Sequence, residues 1–148
     1  MTRRGLLATP LAVWERDGLK AALVKAGLPA DDVGDARLLF WRFETTDIPV
    51  GFGGLEIHGS DALLRSLVTL PPLRQIGMGA AMVAVLETEA RALKCRAIYL
   101  LTASDANFFG RLGYAPCARN EVPEAIRASR QFAEFCAPTA AAMVKHIG

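Results

Sequence analysis

Three runs of mostly apolar residues in the first half of the chain have the length and the bounding residues of β-strands. Turn-forming residues, TTD and GSD, separate these runs, which predicts an antiparallel meander. The three predicted strands are Arg37 to Glu44, Val50 to His58 and Ala62 to Leu70.

Two further elements are predicted ahead of this meander. Leu6 to Ala8 has the composition of a short edge strand. From Pro10 to Ala26 the apolar residues recur with helical spacing, and Gly27 ends the pattern. The pattern therefore predicts one helix between the edge strand and the meander.

The period of the pattern changes after Pro71 and Pro72. From Gly79 to Leu93 the apolar residues recur every three or four positions, as they do on one face of an amphipathic helix. The apolar run Ala97 to Thr102 that follows is typical of a strand buried between two layers. A strand, a helix and a strand in this order form a βαβ crossover, so the third meander strand and Ala97 to Thr102 are predicted to be parallel.

The last part of the chain completes the predicted fold. It contains a short helix, a strand, a second helix and a terminal strand: Asp105 to Leu112, Tyr114 to Ala118, Pro123 to Phe135 and Ala140 to Ile147. The predicted fold class is α+β, a mixed and mostly antiparallel sheet between helices in a three-layer α/β sandwich. We find no internal repeat or linker, so residues 1–148 are expected to form a single domain.

The composition narrows the classes of partner. With 52% hydrophobic and 22% charged residues the chain has the composition of a soluble globular protein. Its 17 basic and 15 acidic residues are interspersed, whereas nucleic-acid binding usually requires a concentrated basic stripe. The N-terminal apolar run is too short for a secretion signal, and no segment is long enough to span a membrane. We therefore expect a cytoplasmic protein that binds neither nucleic acid nor membrane.

The stretch RQIGMGA, from Arg74 to Ala80, places two glycines directly before the predicted helix. The first N–H groups of a helix lack partners and carry the positive end of its dipole. Glycines let a ligand approach these groups, so a phosphate or pyrophosphate with Arg74 as counter-charge is expected there. A P-loop would need Gly-Lys-Ser/Thr, and a dinucleotide fingerprint would need a third glycine where Met82 stands. The structural alternative is that Gly77 and Gly79 only permit a tight entry into the helix.

The order of these elements, together with LRSLVTLPPLRQIGMGAAMV and FFGRLGY, resembles the GNAT superfamily of acyl-CoA-dependent N-acetyltransferases. That family's pyrophosphate signature is Arg/Gln-x-x-Gly-x-Gly/Ala, and this chain has Arg74-Gln75-Ile76-Gly77-Met78-Gly79 followed by Ala80. The resemblance covers nearly the whole chain. It implies a central parallel pair of strands that splays apart at an acetyl-CoA site.

The resemblance also implies which residues contact acetyl-CoA as co-substrate. The amides from Ile76 to Ala80 would hold the pyrophosphate, and the backbone of the preceding strand would bind the pantetheine arm as an added strand would. The implied contacts are Leu67, Val68, Thr69, Arg74, Gln75, Ile76, Gly77, Met78, Gly79, Ala80, Thr102 and Phe109.

More narrowly, the segments GGLEIHG, AIYLLT, FFGRLGYAP and VPEAIRASRQFAEFC are similar to the small acetyltransferases linked to arsenic resistance. Some members of that group acetylate arsinothricin, an organoarsenical mimic of glutamate. The resemblance implies a small-molecule amine as acceptor, for example a toxic amino-acid analogue of this kind.

Acetyl transfer to an amine needs a base for the ammonium proton and a donor for the oxyanion. Glu56 and His58 lie two apart and share one face of a predicted strand, so Glu56 is the candidate base. Both side chains could instead be exposed polar residues at a strand end. The main-chain N–H of Val68 is the candidate oxyanion donor, because it lies where the parallel pair is expected to splay.

The usual acid for the thiolate is missing from its expected position. The family has a tyrosine four residues before the Gly of the Gly-Phe/Tyr pair, and this chain has Phe109 there. The family's CoA-contacting Asn aligns with Thr102, with Ser104 and Asn107 nearby. A water molecule, Tyr99 or Tyr114 could protonate the thiolate instead.

An anionic amino-acid acceptor would need arginine, whose planar fork pairs with carboxylates. Arg65 is the first candidate, because it interrupts an apolar run in a central strand, and the alternative is an internal pair with Glu56. Arg42 and His58 are further candidates for substrate binding.

No CxxC motif or histidine pair at metal spacing is present, so no metal site is expected, and an arsenite site at Cys117, Cys136 and His146 has little support. Three cysteines at irregular spacing fit reduced thiols. Rival functions are a non-catalytic acyl-CoA-binding module and an acetyltransferase for protein amines. The apolar tail AAAMVKHI permits a homodimer.

Overall fold

The computed structural model describes residues 2–3, 6–28, 30–35, 38–46, 48–70, 78–129, 132 and 140–148. Eight strands lie within these residues, and they form one sheet. The strands are β1 Thr2–Arg3, β2 Leu6–Pro10, β3 Leu39–Thr45, β4 Ile48–His58, β5 Asp61–Thr69, β6 Ala97–Thr102, β7 Ala115–Cys117 and β8 Ala141–His146.

Four α-helices lie in the described part of the chain, together with two short 3₁₀ helices. The α-helices are α1 Asp17–Lys25, α2 Met78–Ala92, α3 Ala106–Arg111 and α4 Glu124–Arg127, and the 3₁₀ helices are Val13–Glu15 and Arg119–Glu121.

The order of strands across the sheet is β1-β2-β3-β4-β5-β6-β8-β7. Strands β3, β4 and β5 form the predicted antiparallel meander. Strand β6 follows the α2 crossover and runs parallel to β5, as the βαβ pattern predicted. The remaining pairs are antiparallel, so the predicted mixed, mostly antiparallel sheet flanked by helices is confirmed.

Each face of the sheet has its own core. On one face α2 packs through Met82, Val83 and Leu86. On the other face α1 packs through Leu19 and Leu23 onto the β3–β5 side of the sheet, while α4 covers the β5–β8 side. This is the three-layer arrangement expected for helices that cover both faces of a sheet.

Glycines in β4 let the two layers approach the sheet closely. A Cβ on Gly53 would lie 2.8 Å from the Leu86 Cδ1 atom of α2. A Cβ on Gly54, which faces the other way, would lie 2.5 Å from the Phe40 ring. The glycines seen in the sequence therefore make room for core side chains of the covering layer and of the neighbouring strand.

Three predicted elements differ from the structure. Leu6–Pro10 is not an edge strand, because Thr2–Arg3 pairs with its outer side. The helix predicted from Pro10 to Ala26 is divided into a 3₁₀ turn and α1. In the region predicted as the helix Pro123 to Phe135, α4 is one turn long and ends at Arg127, and residues 130–131 and 133–135 lie outside the described residues.

Candidate functional site

Strands β5 and β6 pair over only part of their length. The parallel register joins Asp61–Leu63 to Ala97–Tyr99, and beyond these residues the two strands diverge. A cleft of about 950 Å³ opens between them. Its walls include β5 from Leu63 to Thr69, the end of β6, the start of α2, half of α3 and the end of α1. The splayed parallel pair implied by the family resemblance is therefore present.

A β-bulge lies in β5 three residues beyond Leu63, the last residue that pairs with β6. Between the pairs Phe52–Val68 and Gly54–Arg65, β4 contributes one residue and β5 contributes two, Ser66 and Leu67. Ser66 has a φ of 57°, a left-handed conformation that is uncommon for residues other than glycine. An extra residue of this kind bends the strand and increases its twist. The bulge therefore turns the second half of β5 away from β6.

The main chain of β5 beyond the bulge has a defined orientation. The Val68 carbonyl oxygen contacts the position that a Cβ on Gly51 would occupy, and the Leu70 N–H donates to the Val50 carbonyl oxygen. Both groups therefore face β4. Since successive residues of a regular strand point their main-chain groups to opposite sides, the Thr69 amide faces the splayed side. This orientation argues against the Val68 amide as oxyanion donor.

The start of α2 forms one wall of the cleft. Gly79 and Ala80 line it, and a Cβ on Gly79 would lie 3.2 Å from the Phe108 ring of α3. This glycine thus allows α3 to pack against the first turn of α2. Met78 begins the helix. Four predicted pyrophosphate contacts lie outside the described residues: Arg74, Gln75, Ile76 and Gly77.

Thr102 and Phe109, two of the predicted acetyl-CoA contacts, lie in the cleft wall. The Thr102 hydroxyl accepts a hydrogen bond of 2.9 Å from the Asp105 N–H. The Phe109 ring is buried and packs edge-on against Phe108 and Tyr114, with centroid distances of 5.0 and 5.7 Å. Phe109 therefore joins the wall of the cleft to the core beneath it.

Neither tyrosine proposed as a substitute acid lies in the cleft wall. The Tyr114 hydroxyl donates to the Glu87 carboxylate at 3.0 Å, and burial, reinforced by Glu87, raises the pKa of Tyr114 far above its usual value. Tyr99 packs with the α4-side core, and burial, then Asp61 and Cys117, raise its pKa as well. Both phenols are held protonated away from the cleft.

Arg65 lies in the cleft wall with its side chain fully buried. Its Nη1 atom is 2.6 Å from Asp32 Oδ2 and its Nη2 atom is 2.5 Å from Asp32 Oδ1. Its Nη1 atom is also 3.4 Å from Glu56 Oε1, and its Nε donates to Ser66 Oγ at 3.2 Å. Every guanidinium nitrogen therefore has a protein partner, so the predicted internal alternative applies and Arg65 has no open fork for a substrate carboxylate.

Glu56 links this arginine to a histidine. Its Oε2 atom lies 2.7 Å from His58 Nε2, and the side chains of Glu56 and His58 are 12% and 25% exposed. Neither residue lines the cleft. Arg65 stands between Glu56 and the cleft, so a proton could pass from the acceptor to Glu56 only through an intermediate group.

Arg42 is separated from this site. It lies on β3 opposite Phe52, and its Nε atom is 3.6 Å from Glu44 Oε1 with its side chain 38% exposed. It does not line the cleft.

Several residues in or next to the cleft were not predicted from the sequence. Asp32, in the segment between α1 and β3, is the main partner of Arg65, and Ser66 and Lys25 line the cleft. Ser66 could have been suspected, because it follows a charged residue inside an apolar strand. No local pattern indicates Asp32, which lies 33 residues from Arg65 in the chain.

Arg16 was also missed, and its role is structural. Its guanidinium donates to the carbonyl oxygens of Val33, Asp35 and Leu38, and it lies 4.9 Å from the centroid of the Phe40 ring. It thereby fixes the segment that carries Asp32. Burial lowers the pKa of Arg16, with a smaller opposing effect of Asp35.

Neither a metal centre nor a membrane span was found in the described part of the chain. These residues hold no group of three or more His, Cys, Asp or Glu side chains that could bind an ion. None of the helices within them is long and apolar enough to cross a bilayer. Cys95 and Cys117 are free thiols, and Cys136 lies outside the described residues.

Solved structures with this fold include several acetyltransferases. N-acetylglutamate synthase from Neisseria gonorrhoeae, in complex with coenzyme A and N-acetyl-glutamate, matches with a TM-score of 0.80 and 14% identity over 99% of this chain and 36% of that chain. Rv2747 from Mycobacterium tuberculosis, in complex with CoA and NLQ, matches with a TM-score of 0.77 and 17% identity over 95% of this chain and 98% of that one. A GNAT-family acetyltransferase from Staphylococcus aureus Mu50 matches with a TM-score of 0.77 and 12% identity over 97% and 99%.

These likenesses establish the fold. The chain spans about a third of the length of the N-acetylglutamate synthase chains that it matches. No curated protein sequence was found to match it.

A family model decides the membership. The model of the acetyltransferase (GNAT) family matches residues 8–114, which include the meander, α2, β6 and α3. Because the matched region covers more than half of the chain and contains the splayed pair with its cleft, this protein belongs to the GNAT family of acetyltransferases.

Proposed function

We propose that the protein transfers the acetyl group of acetyl-CoA to the amine of a small molecule. The single observation that carries this proposal is the cleft between β5 and β6, which family membership associates with the acyl donor. The cleft reaches from the first turn of α2 on one face of the sheet to the end of α1 on the other. Donor and acceptor can therefore enter from opposite faces and meet at the bulge.

Acetyl-CoA fits the open edge of β5. Beyond Leu63, β5 no longer pairs with β6, so a pantetheine arm can take the place of the missing strand. Gly79 and Ala80 line the cleft at the start of a 15-residue helix, whose amides favour a pyrophosphate. Arg74 to Gly77 complete this proposed contact on the strength of their sequence.

The charge around Arg65 favours an amine as the acceptor. Two carboxylates, Asp32 and Glu56, surround one guanidinium, so the group carries an excess negative charge when His58 is neutral. A cationic ammonium group is attracted to such a site. Glu56 is then the proposed base, taking the ammonium proton through water.

For the acceptor itself we propose a glutamate-like amine, with a toxic analogue such as arsinothricin as the specific candidate. The sequence resemblance to arsenic-resistance acetyltransferases motivates this choice. The fold-level likeness to a synthase bound to N-acetyl-glutamate supports the same chemical class. Lys25, which lines the cleft at the end of α1, is a cation that could pair with an acceptor carboxylate now that Arg65 is engaged internally.

A non-catalytic acyl-CoA-binding module is the second candidate. The absence of a side-chain acid at Phe109 favours it, because neither Tyr99 nor Tyr114 lines the cleft to replace one. A water molecule in the cleft could still protonate the thiolate, so the two candidates differ in turnover rather than in binding.

The test uses the purified full-length protein, acetyl-CoA, and a panel of amines containing L-glutamate and arsinothricin. Calorimetry measures acetyl-CoA binding, and release of free thiol measures transfer. The proposal predicts both binding and amine-dependent thiol release, with Arg74→Glu weakening acetyl-CoA binding by at least about tenfold. Binding without thiol release for any amine would favour the second candidate. No binding at all would reject both.

A further inference from the structure

Ser66 combines three features that the proposed reaction does not yet use. It is a bulged residue in the part of β5 that no longer pairs with β6, it lines the cleft, and its backbone has a φ of 57°. This left-handed conformation costs serine more conformational free energy than it would cost glycine or asparagine. The Ser66 hydroxyl group is thus held in the bulge of β5 on a constrained piece of main chain.

The oxygen of this hydroxyl is already oriented by a cation. Arg65 Nε donates to Ser66 Oγ at 3.2 Å, and Asp32 and Glu56 hold the guanidinium from the other side. Because one lone pair of the Ser66 oxygen accepts from Arg65, the hydroxyl hydrogen is directed elsewhere. The described residues show no acceptor for the Ser66 hydroxyl, and Ser66 lines the cleft, so the hydroxyl is available to an acceptor bound there.

We propose that the Ser66 hydroxyl donates a hydrogen bond to the carbonyl oxygen of the acetyl thioester and stabilises the oxyanion formed during transfer. Arg65 is the positioning residue behind it, since its positive charge polarises the hydroxyl and fixes its direction. This inference rests on the proposed acetyl-CoA site. It supplies a donor where the Val68 amide faces β4 and is therefore turned away from the cleft.

The step balances without proton transfer from Ser66. The amine nitrogen forms a bond to the carbonyl carbon, and the carbonyl π electrons move onto the oxygen that Ser66 stabilises. The attacking nitrogen loses one proton through water to Glu56. When the C–O double bond re-forms, the C–S bond breaks and its electron pair leaves on sulfur, and the thiolate takes one proton from solvent, so one proton is released and one is taken up in each transfer. A serine alcohol is a far weaker acid than a thiol, whose pKa is about 8.5, so Ser66 acts by hydrogen bonding and not as the acid for the thiolate.

Two variants separate the hydroxyl from the backbone. Ser66→Gly removes the hydroxyl and relaxes the left-handed conformation, whereas Ser66→Ala removes it and keeps a side chain that tolerates φ of 57° poorly. Hydroxylamine serves as a small nucleophile, so recognition of the natural acceptor does not influence the rate. If the hydroxyl stabilises the oxyanion, both variants lose about 100-fold in kcat, with unchanged calorimetric affinity for acetyl-CoA.

A second measurement does not depend on turnover. The infrared band of acetyl-CoA labelled with ¹³C at the acetyl carbonyl reports hydrogen bonding to that oxygen in the bound complex. The band should lie at lower wavenumber with the wild-type protein than with either variant. This holds even if the protein binds acetyl-CoA without transferring it, so it distinguishes the failure of this inference from the failure of the proposed activity.

Three outcomes would overturn the assignment. If acetyl-CoA binds with the same carbonyl band in all three proteins, Ser66 does not donate a hydrogen bond to the carbonyl oxygen. A loss of rate in Ser66→Ala alone would assign the effect to the backbone. Failure of the wild-type protein to bind acetyl-CoA would reject this inference together with the proposed site.

Discussion

Two buried polar clusters lie on opposite faces of the sheet. The Arg65 cluster consists of Asp32, Glu56, His58 and Arg65, and the Glu87 cluster consists of Glu87, Tyr114 and Lys145. In the Glu87 cluster, Lys145 Nζ lies 3.1 Å from both Glu87 carboxylate oxygens and donates to the Leu112 carbonyl oxygen at 2.9 Å. Each cluster thus joins a carboxylate to a cation and to a third polar side chain.

The clusters differ in what their hydrogen bonds connect. Those of the Glu87 cluster join α2, β8 and the end of α3, and no member lines the cleft. In the Arg65 cluster, the hydrogen bonds lead through Arg65 Nε to the hydroxyl oxygen of Ser66, which lies in the cleft wall. The raised pKa of Tyr114 belongs to the Glu87 cluster, which has no residue in the cleft wall. A perturbed pKa alone therefore does not identify the proposed active site. Whether a side chain lines the cleft is the better criterion.

The largest expected effect is on stability. Arg65→Met removes the cation from between two buried carboxylates, and breaking a buried pair of this kind costs about 3–5 kcal/mol in the free energy of unfolding. Lys145→Met is the matched variant in the Glu87 cluster. It should cost about 1–2 kcal/mol, because Glu87 keeps its bond from Tyr114 and Lys145 is already 25% exposed.

Urea unfolding of both variants measures this difference. The double variant Asp32→Leu/Arg65→Met is the control, since removing both partners leaves less uncompensated charge than removing one. Equal losses for Arg65→Met and Lys145→Met would contradict the view that the Arg65 cluster is the more tightly coupled of the two.

The second effect concerns catalysis. Glu56→Gln keeps the shape of the side chain but removes its capacity to take a proton, so kcat for the amine acceptor should fall about 100-fold. Glu87→Gln makes the same change in the Glu87 cluster, on the opposite face of the sheet, and should leave kcat per folded molecule unchanged. Steady-state kinetics with saturating acetyl-CoA provide the comparison. If the two variants have the same kcat, Glu56 is not the proton acceptor.

The smallest effect is pH-dependent and belongs to the Glu87 cluster alone. Because the folded protein raises the pKa of Tyr114, the native state holds this proton more tightly than the unfolded chain does. The resulting stability is complete below about pH 10, the ordinary tyrosine pKa, and is lost as the pH rises toward the native pKa.

Tyr114→Phe removes this dependence. Near neutral pH it should cost about 1 kcal/mol for the lost hydrogen bond to Glu87, and the gap between variant and wild type should narrow above about pH 10. Urea unfolding between neutral and strongly alkaline pH measures the gap. A constant difference over the whole range would show that Tyr114 has the same pKa in both states.

The elements that could be predicted are those with a complete local pattern. The meander, α2 and the parallel β6 follow from apolar periodicity and from the crossover rule, and the structure confirms them. The region after Pro123 was less predictable, because a helix one turn long leaves too little periodicity to define its end. The outer position of β2 was missed because two residues, Thr2–Arg3, are too short to signal a strand.

The candidate site was only partly visible in the sequence. The glycine turn and the strand before it stand in the chain as one continuous motif, so Gly79, Ala80 and β5 could be named in advance. The environment of Arg65 could not. Its main partner lies 33 residues away, and which ion pair forms depends on how Arg16 fixes the segment that carries Asp32.

By itself the sequence determined the meander, α2, the parallel pair and the family, because these follow from local apolar periodicity, from the order of consecutive elements and from one continuous motif. The tertiary structure alone decided that Arg65 is neutralised internally, that the Val68 amide faces β4 and that Ser66 borders the cleft. Each of these depends on one extra residue in β5 and on contacts between segments distant in the chain. Hydrophobic periodicity shows which face of a strand is buried. It does not show where a bulge bends the strand and interrupts the regular alternation of its main-chain groups.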